Sequence, residues 1–111
     1  SGGAIVVAEN TIATSTSMTI DWRNGNQQLV RIGTAATSIS FSNYIEGQKL
    51  LLTLCNPNAT AGALTWGTQI LWPAATAPTQ TTTANKCDVW SFLATNATST
   101  LKIFGAQNAN F

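Results

Sequence analysis

Alternation is the strongest constraint on this chain. In Met18-Thr19-Ile20-Asp21-Trp22-Arg23 the apolar side chains take every second position, the period of a strand with one buried face. Val30 and Ile32 repeat it against Leu29 and Arg31, and Ile39 and Phe41 repeat it against Ser38, Ser40 and Ser42. The run Leu50 to Cys55 is apolar on nearly both faces, with Leu50, Leu52 and Leu54 on one and Leu51, Thr53 and Cys55 on the other. Such a strand suits a central position covered from two sides. Further on, Val89 and Leu93 oppose Trp90 and Phe92, and Leu101 and Ile103 oppose Lys102 and Phe104. No stretch carries a helical stripe. The pattern predicts an all-β chain, a small antiparallel β-sandwich of jelly-roll-like kind with about eight strands.

Turn signals divide the strands. Asn24-Gly25 is the commonest two-residue hairpin signal, since both residues tolerate positive φ. Leu64 and Trp66, a tight turn at Gly67-Thr68, and Ile70 and Trp72 read as a second hairpin, ended by Pro73, which cannot donate to a ladder. After it comes an uncharged ramp of Ala, Thr and Gln with one further proline, Pro78. A connection that long without secondary structure is uncommon.

Charge narrows the function. Only 8% of the 111 residues are charged, against roughly 25% in ordinary domains, so the surface must be largely neutral and hydrogen-bonding. The five basic residues stand singly, which leaves nucleic acid no electrostatic footprint. No apolar run approaches the ~18 residues of a membrane span, and no membrane insertion is expected. Histidine is absent, and the acids Glu9, Asp21, Glu46 and Asp88 are far apart. No nucleophile elbow, phosphate loop or metal box is present, so no catalytic residue, metal or cofactor is assigned. Asp88 is read as a hydrogen-bond acceptor for a loop backbone. Cys55 and Cys87 lie 32 residues apart; a disulfide is geometrically open to them, but buried thiols packing as small hydrophobes are the preferred reading. Asn58-Ala59-Thr60 and Asn96-Ala97-Thr98 match the glycosylation pattern, which chance supplies in any Asn/Thr-rich chain.

The length fits a single domain, 1–111. Its first residues, Ser1-Gly2-Gly3, fit a tag remnant, and "FGAQNANF" at the other end reads like a natural terminus.

Between Leu64 and Thr95 stand Trp66, Trp72-Pro73, Ala77-Pro78-Thr79, Thr81 to Thr83, Asp88, Trp90 and Phe92. In this run the chain resembles a module of tailed-bacteriophage virion proteins, often found closing tail fibres or other surface appendages. Upstream, "IDWRNGNQQLV" and the Gly47-to-Leu54 segment are similar to the same module. Relatives often have glycines after Trp-Pro; here Ala74-Ala75 stand there. The resemblance implies a small β-sandwich, commonly trimeric, on the virion surface, with no catalytic residues to carry over.

Two functions follow as expectations. One is a fibre tip that recognises host-surface glycan or protein, with Tyr44 and Trp90 as candidate ligand-binding aromatics. The other is a capsid-decorating or appendage-building module that contacts other virion proteins. A carbohydrate-binding module of a cellular enzyme is a weaker third. Trp22, Trp66 and Trp72 are assigned to the core because they alternate in phase with aliphatic neighbours. Homotrimer contacts are expected at the Leu50-to-Cys55 strand, through Leu50, Leu52 and Leu54, or at the ramp, through Thr81, Thr82 and Thr83.

Overall fold

The computed structural model describes residues 10–12, 14–96, 100–108 and 111. The expected tag remnant at 1–3 and residues 97–98 of the second glycosylation triplet lie outside them. The described chain is all-β. Its strands are β1 (Asn10–Ile12), β2 (Ser17–Asp21), β3 (Gln27–Arg31), β4 (Thr37–Ser42), β5 (Lys49–Asn56), β6 (Leu64–Trp66), β7 (Ile70–Leu71), β8 (Lys86–Thr95) and β9 (Lys102–Asn108).

They form a six-stranded sheet, ordered β1-β3-β5-β8-β9-β7, and a three-stranded sheet, ordered β2-β4-β6. From β1 to β6 the chain alternates strictly between the two. Each strand therefore lies beside the one two places earlier and runs parallel to it. The β7/β9 ladder is parallel as well, and only β5/β8 and β8/β9 are antiparallel among the described residues. The antiparallel expectation is thus corrected to one mixed sheet and one parallel sheet.

The two turn signals explain the difference. Asn24-Gly25 does not close a hairpin, because β2 and β3 belong to different sheets. Instead the Asp21 carboxylate accepts the Arg23 N–H and caps a single 3-10 turn, Trp22–Asn24, which Gly25 ends at φ 141°. The Trp22 indole, 2% exposed, points inward and fills the corner of this arch. Gly67 plays the same part between β6 and β7, which also lie in different sheets. Its N–H donates to Ile39 C=O and its C=O accepts from Ile70 N–H. A hairpin signal specifies a reversal of direction; whether the chain returns beside itself or crosses the core depends on which side chain the corner buries.

One core lies between the sheets. Val30, Leu50, Leu52, Leu54, Trp90, Phe92 and Ile103 fill it from the larger sheet, and Met18, Ile20, Ile39 and Phe41 from the smaller. Phe41 meets Phe92 across the layers at 4.8 Å between ring centroids, edge to face. Leu50, Leu52 and Leu54 are thus core residues, each no more than 1% exposed. Their expected role at a subunit contact is corrected, since the alternation buries them within their own chain. The other face of β5 points outward, with Leu51 39% exposed.

The expectation of free thiols is corrected too. Cys55 and Cys87 are directly opposite on β5 and β8 and form a disulfide. The backbone of Cys87 bonds to Phe111 rather than to β5, so the cysteines occupy a non-hydrogen-bonded pair, where opposed side chains come closest.

Candidate functional site

Three strands cannot cover six. Beyond β6 the inner faces of β8 and β9 need another covering, and the segment from Trp72 to Thr83 provides it. Trp72 packs against Trp90 at 5.5 Å and against Trp66 at 5.4 Å. Trp66 in turn lies 4.7 Å from Trp90. A side chain on Gly105 would come within 2.6 Å of the Trp72 ring, so the absence of a Cβ there lets the indole lie down on β9. The tight turn after it, Pro73–Ala75, holds Ala74 and Ala75 at φ 54° and 59°. These left-handed positions favour glycine.

The ramp that follows is tied down by side-chain amides and one carboxylate. Asn56, 1% exposed, donates through Nδ2 to Thr82 C=O at 2.9 Å. Gln107 Nε2 donates to Thr79 C=O at 2.9 Å and to Asp88 Oδ2 at 3.0 Å. Asp88 Oδ2 accepts the Thr81 N–H at 2.7 Å, the loop-backbone role read for it from the sequence. Gln80 Nε2 reaches across to Gly62 C=O at 2.7 Å.

Between ramp and sheet edge runs an open groove of about 420 Å³. One wall is Ala61 to Leu64 with Trp66; the other is Ala77 to Gln80 with Thr82. No lining residue is ionisable. A neutral ligand could lie there without stranding a charge, whereas a charged one would be desolvated without a counter-ion.

The expected site residues fall differently. Trp90 is fully buried, 0% exposed, so its candidacy as an exposed ligand platform is corrected: the inner face of β8 belongs to the core. Tyr44 is half-buried and packs against the core from the β4–β5 connection. Thr81 is half-buried, with Thr82 and Thr83 exposed. The ramp threonines adjoin the groove through Thr82, while Tyr44 and Trp90 do not line it. Sequence reasoning missed Gln80 and Leu64. Gln80 was visible as a long amide in a ramp of short side chains, but its partner was not.

Other chemistry is placed as follows. The Asp21 carboxylate receives Arg23 Nη2 at 2.8 Å and Asn43 Nδ2 at 3.1 Å. The Arg23 side chain, then its backbone N–H, hold that carboxyl well below the usual carboxylate range. Glu46 accepts from Asn96 Nδ2. Asn58 spends its amide on Ile32 C=O at 2.7 Å, so it is engaged in the fold rather than presented as a glycan acceptor. Among the described residues no group of three or more His, Cys, Asp or Glu could hold a metal ion, and no helix is long and apolar enough to cross a membrane. Comparison of the chain with protein-family models, curated proteins and solved structures finds no match.

Proposed function

We propose that the chain is a non-enzymatic module of the bacteriophage virion surface, a fibre or appendage tip that recognises the host cell, and that the groove beside β6 is its recognition site. The observation that carries the reading is the groove itself. It is concave, half-buried Trp66 lines it, hydrogen-bonding Thr79, Gln80 and Thr82 border it, and no charge lines it. These features suit a neutral partner, glycan or protein. The proposed finer class is a jelly-roll-like sandwich; two sheets around one core support it, and the parallel ladders depart from it.

The proposed assembly is a homotrimer, with the contact moved from the inner to the outer face of the larger sheet. There Leu93 stands opposite Phe104, and Phe104 opposite Leu71. These three and Leu51 are 38–40% exposed. The smaller sheet's outer face, with Thr19, Ser38, Ser40 and Thr65, is polar by contrast. The same apolar row favours the second reading, an appendage-building or capsid-decorating module held by other virion proteins.

The test is adsorption. Labelled protein should bind susceptible cells, and Ala77→Arg or Thr79→Lys should abolish binding with the fold intact by circular dichroism. Light scattering should give three times 11.7 kDa. Immunogold labelling confined to the capsid wall, with no cell binding, would replace recognition by the decorating role.

A further inference from the structure

The groove has a property its side chains do not reveal: one wall is an open β edge. Among the described residues, strand β6 pairs only with β4. Thr37 N–H donates to Ala63 C=O, and Gly67 N–H donates to Ile39 C=O. Successive residues of a strand turn their N–H and C=O to opposite sides. The backbone groups of Thr65 therefore serve β4, and those of Leu64 and Trp66 point the other way, into the groove. Among the described residues nothing in the protein bonds to them. Gly62, just before β6, is different: its N–H donates to Gly33 C=O, and Gln80 Nε2 takes its C=O at 2.7 Å. The glutamine amide thus makes, at the first position, the bond that an added strand would make, and leaves the next two positions open.

We propose that the groove binds an extended, uncharged peptide segment of a host-surface protein by strand addition to β6. This rests on the recognition reading above and names its partner class. The backbone of the segment would pair with Leu64 and Trp66, which supplies affinity without regard to sequence. Its alternate side chains would point toward the Leu64 and Trp66 side chains between the layers, where Ala77 and Pro78 leave room for small or apolar groups. The intervening ones would lie beside exposed Thr65. The absence of charge on both walls sets the selection: a Lys or Glu directed inward would be buried unpaired. A glycan has no regular succession of donors and acceptors at strand spacing to meet these groups, which is why a peptide is preferred over a sugar.

The experiment is amide exchange followed by NMR, with blocked octapeptides alternating Thr with Ala, Val, Leu or Ser as probes. The expected result is that at least one peptide slows exchange at Leu64 and Trp66 tenfold or more. N-methylating its alternate backbone nitrogens should abolish the effect. Leu64→Pro, which removes an outward N–H from an edge position where proline is tolerated, should abolish it too, and Leu64→Ala should retain it. No protection by any peptide, or protection indifferent to N-methylation, would overturn the proposal. So would protection that grows with protein concentration alone, which would make a second copy the occupant. Binding of neutral oligosaccharides with no response to peptides would overturn strand addition while leaving recognition standing. Loss of cell adsorption in none of the groove variants would remove the recognition reading itself.

Discussion

Individual residues show where this chain departs from its easiest conformation. Ala74 and Ala75 both stand in the left-handed region, which costs an L-residue with a Cβ about 1–2 kcal/mol. Ala74→Gly and Ala75→Gly are each expected to raise stability by about 1 kcal/mol, measured as a higher denaturant midpoint with unchanged slope. Asp21 gives a pH signature. Its folded-state carboxyl titrates below the unfolded value because Arg23 and its backbone N–H bond the ionised form. The contribution is therefore complete above the unfolded value of about 4 and fades as pH falls through the folded one. Asp21→Asn should melt below the parent at pH 7, and the gap should close toward pH 2. A gap that stayed constant over that range would show that the capping geometry, not the charge, carries the effect.

At the scale of elements, the ramp behaves as a substitute strand. It covers the inner face of β8 and β9 without a ladder of its own, and Asn56, Gln80, Asp88 and Gln107 supply the bonds a neighbouring strand would have made. Removing the buried acceptor with Asp88→Ala strands the Thr81 N–H and frees Gln107 from one partner. The expected loss is about 1.5–3 kcal/mol, with amide exchange accelerated in Thr79 to Thr83 before the sheets respond. The elements were also unevenly legible in the sequence. Period two identified which residues face inward in β3 and β4, because burial alone sets that phase. In β5 and β8 it separated the two faces without saying which one the core takes. Leu50, Leu52 and Leu54 thus read as a subunit contact and Trp90 as a ligand-binding aromatic, although all four are buried. Strand pairing was not legible. Asn24-Gly25 looks the same whether the chain folds back or crosses the core, and the inward Trp22 that decides between them is also what a hairpin strand would show. The groove was hidden for a related reason: it joins Ala61 to Trp66 with Ala77 to Thr82, and no local pattern says that these meet.

Across the whole molecule, the Cys55–Cys87 disulfide cross-links the part that alternates between sheets to the antiparallel pair that follows. Closing a loop of 32 residues restricts the unfolded chain, and replacing both cysteines with serine should lower stability by about 2–4 kcal/mol. Urea titration with and without reductant measures it; a variant as stable as the oxidised parent would show that the sheets need no tie. The alternation itself has a further consequence. The chain returns to the same sheet after 18, 21, 24 and 27 residues in turn, so no fixed repeat survives in the sequence, yet every return lands in register. Circuit length is thus decoupled from strand pairing, and lengthening an arch by a few residues adds little closure entropy. Such a design lets the arches vary in length at small thermodynamic cost, so what is displayed at the rim can change while the sheets stay the same.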